Sequence, residues 1–281
     1  MEFDPDDCCA LNGGKGAWAF APLAEQLSLA LGVPISEQPR RFNYLLHFDS
    51  IDVDFTGESF IPLSAIRIAA DKRLMAGVFA QHAVPTPHTR LLEHFDDVIR
   101  FVSVNAQSEW CLKYPTGCRA SGHRLIDATS SEPPNWPRPF VVQEFIRMER
   151  PEVYRLYGAG GRIFGWLARR FPGGTRATPW VAHARGARYE LAGDAPRQAI
   201  DVVTAALKAT GLFASFGCVD LLKRPSGEWV ALEVGTDGIY NHVDRDLGIP
   251  SMERDLSDRI ADAFWRWARQ GGVEGLDADG A

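Results

Sequence analysis

The stretch that most constrains how this chain can fold runs from Phe216 to Val234. It is an apolar run ending at Leu222, then Pro225-Ser226-Gly227, then Trp229 to Val234. Two β-rich runs about a short Ser-Gly turn predict a β-hairpin. With Ser226-Gly227 as a two-residue loop, Pro225 faces Glu228, Arg224 faces Trp229, and Asp220 lies directly opposite Glu233. Directly opposed residues share a face of the sheet, with Cβ atoms about 5 Å apart, and like charges there repel. Val219, Leu221, Val230, Leu232 and Val234 then make the other, core-facing side. The two carboxylates call for a counter-charge. Mg²⁺ is one candidate, because it takes hard carboxylate oxygens together with substrate phosphates. An arginine between the acids, or a solvated face, answers the same electrostatics.

At 281 residues the chain is long enough for two or three compact lobes. A net charge of −6 argues against general nucleic-acid binding. Only five of the 30 Lys and Arg residues are lysines: Lys15, Lys72, Lys113, Lys208 and Lys223. The five cysteines, Cys8, Cys9, Cys111, Cys118 and Cys218, are odd in number and lack CxxC spacing, which fits a reducing compartment better than a disulfide framework or a zinc site. No apolar run reaches the roughly 18 residues of a membrane span, and the opening MEFDPDD is acidic where a signal peptide is basic. A soluble cytoplasmic protein without membrane or nucleic-acid partners is expected.

Residues 1–14 and 271–281 read as frayed ends, the latter as a flexible tail. Trp18 to Leu31 has helical spacing at Phe20, Leu23, Leu27 and Leu31, with Gly32 placed to cap it. With a short strand from Asn43 to Phe48, residues 1–62 make a small N-terminal α/β domain. A second unit, 63–140, holds a helix from Leu63 to His82 that ends at Val84-Pro-Thr-Pro87, a helix near Phe95 to Val104, and strands Trp110–Tyr114 and Arg124–Ile126. Between those strands runs Lys113-Tyr-Pro-Thr-Gly-Cys-Arg-Ala-Ser-Gly-His123. Its small residues let backbone N–H groups point at an anion, and Lys113 adds a point charge; an ordinary hairpin turn has the same composition. A third unit, 141–270, carries the strand Phe140–Ile146, a hairpin of Glu152–Tyr157 with Arg162–Ala168, and an Arg- and Gly-rich loop over 169–189 of the kind that forms lids. An amphipathic helix Ala195–Thr210, the opening hairpin and a last helix from Ser251 to about Gln270 complete it.

The order of these pieces resembles the ATP-grasp superfamily over about residues 62–270. That family joins acids to amines through acyl-phosphates and includes D-alanine–D-alanine ligase, glutathione synthetase and the ribosomal-protein glutamate ligases. Asp71-Lys72 ahead of Val84-Pro-Thr-Pro87 is similar to its first lysine motif, and Lys113 to its second, before a loop that ends in Ser121-Gly122. Val142-Gln143-Glu144-Phe145-Ile146 resembles the interlobe strand that reads the adenine edge. The resemblance thus implies ATP contacts from Lys72, Lys113, Ser121, Gly122, Gln143, Glu144, Phe145 and Ile146, the main chain of Glu144 to Ile146 meeting the base, with Glu152 on the ribose. It implies Mg²⁺ on Asp220 and Glu233. The implied fold is α+β or α/β: two α+β lobes clamping ATP, plus a small N-terminal α/β cap.

Two departures stand out. In the family x-Asn follows the second acid and helps hold one metal ion; here the run is Glu233-Val234-Gly235, leaving Asp237, Asn241 or water as substitutes. Some members have an arginine two residues before the first acid, where this chain has Cys218. Arg169 and Arg170 are then expected to carry catalytic charge, and surface charge explains the same pair.

The resemblance implies an ATP-dependent ligase that forms an amide or peptide bond between a small carboxylate and an amine, such as an amino acid or peptide. It releases ADP and phosphate, with segments 115–122 and 169–188 closing as lids against water. Two alternatives remain: a catalytically degraded ATP-binding partner or regulator, and a kinase-like member that phosphorylates a small molecule. Oligomeric state is open, a homodimer included.

Overall fold

The computed structural model describes residues 4–12, 20–46, 56–116, 122–236, 243–249 and 252–272. At the N-terminus β1 (Cys8–Asn12) lies between β2 (Ile35–Ser36) and β3 (Phe42–Leu46), with β4 (Glu58–Ser59) beyond, all parallel, and α1 (Phe20–Leu31) packs on β1. The frayed end expected over 1–14 is thus corrected: Cys8, Cys9 and Ala10 are fully buried in a central strand. A strand of a parallel sheet buried on both faces shows no polar–apolar alternation, and four such residues after an acidic stretch are too short a run to read.

The helix expected over 63–82 is two helices. α2 (Leu63–Ala70) and α3 (Lys72–Gln81) meet at Asp71, whose backbone is extended (φ −126°, ψ 113°). Asp71 caps α3 by accepting from the Arg73 amide at 2.8 Å. The break makes Lys72 the first residue of α3, and its amide donates to Pro115 O at 3.0 Å, beside the small-residue loop.

The smaller of the two antiparallel sheets contains β5 (Thr89–Leu92), β6 (Trp110–Lys113), β7 (Arg124–Ile126) and β8 (Phe140–Glu144), in the order β5-β8-β6-β7, with α4 (Phe95–Val104) packed on it. Because β8 is an inner strand here, the boundary expected between 140 and 141 falls after Glu144.

The larger sheet contains β9 (Glu152–Ala159), β10 (Arg162–Arg170), β11 (Arg188–Leu191), β12 (Phe216–Lys223) and β13 (Trp229–Gly235), antiparallel in the order β11-β10-β9-β12-β13. One face is covered by α5 (Arg197–Ala209), which packs closely because Gly158 and Gly217 leave room for Leu207: a Cβ on Gly158 would lie 2.4 Å from Leu207 Cδ1. α6 (Val243–Leu247) packs on β11, and α7 (Met252–Arg269) joins this unit to the N-terminal one. There Trp265 Nε1 donates to Leu31 O at 3.0 Å and Phe264 meets Phe60 edge-on at 5.6 Å. The edge of β13 receives the Val84-Pro-Thr-Pro87 segment, with Ala231 N donating to Pro85 O at 2.8 Å and Thr86 Oγ1 to Ala231 O at 2.9 Å. No described helix is long and apolar enough to cross a membrane, and the four described cysteines are free thiols.

Candidate active site

The uncovered face of the large sheet and the end of the small one enclose a cavity of about 780 Å³. Its centre is the β12–β13 hairpin, where Asp220 does pair with Glu233. The route to that pairing differs from expectation. The loop has three residues, Pro225-Ser226-Gly227, closed by Arg224 N donating to Glu228 O at 2.8 Å, with Gly227 at φ +97°. This shifts the pairs near the turn by one, so Leu221 meets Ala231, and a bulge at Leu232 restores the register by Asp220. The faces change accordingly. Val219, Leu221, Ala231 and Val234 belong to the main core, whereas Val230 and Leu232, expected there, join Leu222, Ile146 and Val153 on the cleft side. Leu222, Leu232, Ile146, Met148, Val153 and Val181 give one end of the cavity an apolar lining.

Asp220 is 2% exposed and held by two arginines. Arg155 bonds it through Nε at 2.7 Å and Nη2 at 3.1 Å, and Arg169 Nη2 bonds the second oxygen. Burial works to raise the pKa of Asp220, and the two guanidinium groups outweigh it, holding the carboxyl below its usual range. The arginine answer to the opposed acids is therefore present at Asp220. Glu233 is half-buried, lines the cavity and takes part in no described ion pair. A carboxylate of that kind beside an anchored second one fits a cation brought in on phosphates. Among the described residues no cluster of three or more His, Cys, Asp or Glu could hold a metal alone.

Lys72 and Lys113 both line the cavity. Lys113 is 5% exposed and lies at the end of β6; burial pushes its pKa down, with Cys111, Glu233 and Asp220 acting the other way. Among the described residues no carboxylate pairs with it. Gln143, Glu144, Phe145 and Ile146 also line the cavity. The amides of Glu144 and Phe145 are taken, by His88 O and Glu109 O at 2.8 Å each, whereas no described group accepts from the Ile146 amide. The Glu144 carboxylate turns to Arg224 of the large unit, at 2.6 and 2.7 Å.

Three expected contacts fall elsewhere. Strand alternation sends Val153, Arg155 and Arg169 to the cleft and Glu152 and Arg170 to the opposite face. There Arg170 Nε donates to Glu152 at 2.7 Å and its Nη1 to Glu190 at 3.1 Å. The ribose role of Glu152 and the catalytic role of Arg170 are thereby corrected. Gly122 does not line the cavity; at φ +71° it packs under Tyr114, whose Cβ would lie 2.7 Å from an added Cβ. Ser121, Asp237 and Asn241 lie outside the described residues. The cleft also contains residues that sequence reading passed over. Arg155 is one, legible as a charge two positions after Val153 and therefore on the same face of β9 as that apolar residue. His123, Trp180, His183 and Arg245 are others, the first two in loops, His183 in a single 3-10 turn and Arg245 in α6, with no spacing to announce them.

No protein-family model and no curated protein sequence matches this chain. Solved structures do. D-cycloserine synthetase DcsG superimposes with a TM-score of 0.65 at 16% identity, over 94% of this chain and 99% of that one. D-alanine–D-alanine ligase from Bacillus anthracis, complexed with ATP, gives 0.62 at 13% identity, over 95% and 98%. ATP-grasp ligase PsnB, complexed with minimal precursor, Mg and ADP, gives 0.63 at 14% identity, over 95% and 100%. The chain has the ATP-grasp fold along nearly its whole length: two α+β lobes about a cleft, with an N-terminal α/β unit.

Proposed function

We propose that the chain is an ATP-dependent ligase joining a small carboxylate to an amine, with Mg²⁺. The observation that carries this reading is Lys113, a buried ammonium facing the cleft, which among the described residues makes no ion-pair contact and feels Glu233 and Asp220 only as nearby charges. A buried charge of that kind needs an anion, and a nucleotide phosphate is one that the fold accommodates. Structural neighbours named for D-alanine–D-alanine ligation, and one complexed with a precursor peptide, support amino acids or peptides as the substrate class.

When bound, ATP supplies the phosphoryl group that activates a carboxylate as an acyl-phosphate, and Mg²⁺ supplies charge at the phosphates. The chain's residues do the positioning. The Ile146 amide donates to the base edge over the apolar lining. Lys72 and Lys113 neutralise phosphate charge. Glu233 would hold the cation, with Asp220 offering the lone pairs its arginines leave. Arg155 and Arg169, fixed by Asp220, face the reacting acid; Arg169 Nε is buried without an acceptor among the described residues, a donor that a carboxylate or phosphate oxygen satisfies. Catalysis of this kind is mostly orientation and charge stabilisation.

The test is ADP and phosphate release across panels of acids and amines, required together, and abolished by Glu233→Ala. AMP as product overturns the mechanism. The rival reading, an ATP-binding partner without turnover, draws on Gly235 and on the commitment of Asp220 to two arginines. It predicts calorimetric ATP binding with no release on any panel.

A further inference from the structure

One side chain in the cleft is left unsatisfied by the roles above. His123 follows the small-residue loop, and its ring lines the same cavity as Lys72 and Lys113. Its Nε2 is buried and has no hydrogen-bond partner among the described residues. Buried polar atoms of folded proteins nearly always have one, so an orphan inside a ligand-sized cavity marks a place where a ligand completes the bond. Burial, then the charges of Lys113, Lys72 and Arg185, push His123 down to about 3. The ring is therefore neutral near pH 7 and has one N–H to give.

A second observation comes from the opposite lobe. The loop after β10, residues 171–187, returns across the cleft and brings Trp180 against His123 edge-on at 5.3 Å and against Phe145 at 5.1 Å. One indole thus touches both the end of the small-residue loop and the strand beside the Ile146 amide. Aromatic contacts of this geometry orient the rings they join. His123 is held with its ring turned by Trp180 and its neighbours on the cavity side cationic.

We propose that His123 is a nucleotide ligand, donating Nε2–H to a phosphate oxygen, and that Trp180 positions its ring. The assignment rests on the cleft being a nucleotide site. The chemistry selects phosphate over ribose or base, because the charges that act on His123, those of Lys113, Lys72 and Arg185, are all positive and two of the three line the cavity with it. Trp180 is a positioning residue only.

The test compares calorimetric binding of Mg²⁺–ADP and of adenosine. His123→Phe keeps a ring against Trp180 and removes the donor. It is expected to weaken ADP by about tenfold or more, the loss of one hydrogen bond to a charged group, and to leave adenosine unchanged. His123→Gln places an amide N–H near Nε2 and is expected to recover ADP binding to within about threefold of the original. Equal losses for ADP and adenosine in His123→Phe, or no loss for either, overturn the assignment. Failure of the unsubstituted protein to bind either compound overturns the nucleotide site itself and this assignment with it.

Discussion

Asp220 and Arg155 occupy paired positions on neighbouring strands, and their side chains close a two-point ion pair with 2% and 11% of the respective side chains exposed. Arg169 reaches the same carboxylate from the third strand. The carboxylate therefore anchors two cations in a low-dielectric place. Removing it leaves two buried guanidinium groups uncompensated, which typically costs about 3–5 kcal/mol. Asp220→Ala is expected to lower the melting temperature by roughly 10 °C. Glu233→Ala, with no described ion pair to lose, is expected to melt within about 2 °C of the original while ending ADP release. Scanning calorimetry of the two variants checks this; equal destabilisation would mean that the arginines do not depend on Asp220.

Arg169 and Arg170 are adjacent in β10 and face opposite ways. Arg169→Gln is expected to reduce kcat by about 10²–10³, the usual cost of removing one preorganised donor. Arg170→Gln is expected to leave Kd for Mg²⁺–ADP and kcat within about threefold, its effect appearing as a small loss of stability. Loss of turnover in Arg170→Gln with Arg169→Gln active would reverse the assignment of faces.

Glu144 and Arg224 join the two lobes through the strand that adjoins the base site. The Arg224 hydrogen bonds, aided by the His88 amide, hold Glu144 below the usual carboxylate range against the opposing effect of burial. A depressed carboxylate stabilises the fold above its unfolded value, about 4.3, and loses that contribution as pH falls through the folded one. Glu144→Gln is expected to cost about 1–2 kcal/mol at pH 7, with the gap closing towards pH 3. Melts across that range check it, and a gap independent of pH would sink it.

Much of the fold was legible because its signals are local. Leu207 and its neighbours on α5 repeat at helical spacing, and Lys113 sits where a strand meets a run of small residues. What escaped depends on pairing between distant segments. Cys8 to Leu11 is a strand only because Ile35 and Phe42 flank it. The sequence register places Asp220 opposite Glu233 because two differences from the structure cancel, a loop of three residues where two are expected and a bulge at Leu232, and those same differences turn Val230 and Leu232 to the cleft side. Glu152 was misplaced for the related reason that alternation along β9, not proximity in sequence, decides which side chain meets the cleft.

Lys113 yields the last prediction, in which stability and binding move in opposite directions. Burial lowers its pKa, so the folded state resists the charge. A lysine depressed in this way destabilises the fold at every pH below its unfolded value of about 10.4, and the penalty shrinks as pH rises towards that value. Lys113→Met keeps the stem's volume and removes the charge. Without nucleotide it is expected to be more stable by about 1–2 kcal/mol at pH 7.5, a rise of several degrees in melting temperature, with the advantage narrowing towards pH 10. With saturating Mg²⁺–ADP the order should invert, because only a state that binds the nucleotide gains RT ln(1 + [L]/Kd). Melting curves of both proteins with and without Mg²⁺–ADP measure each half. If Lys113→Met melts lower without nucleotide, the ammonium is a structural partner within the fold, and its place as the cleft's waiting cation is lost.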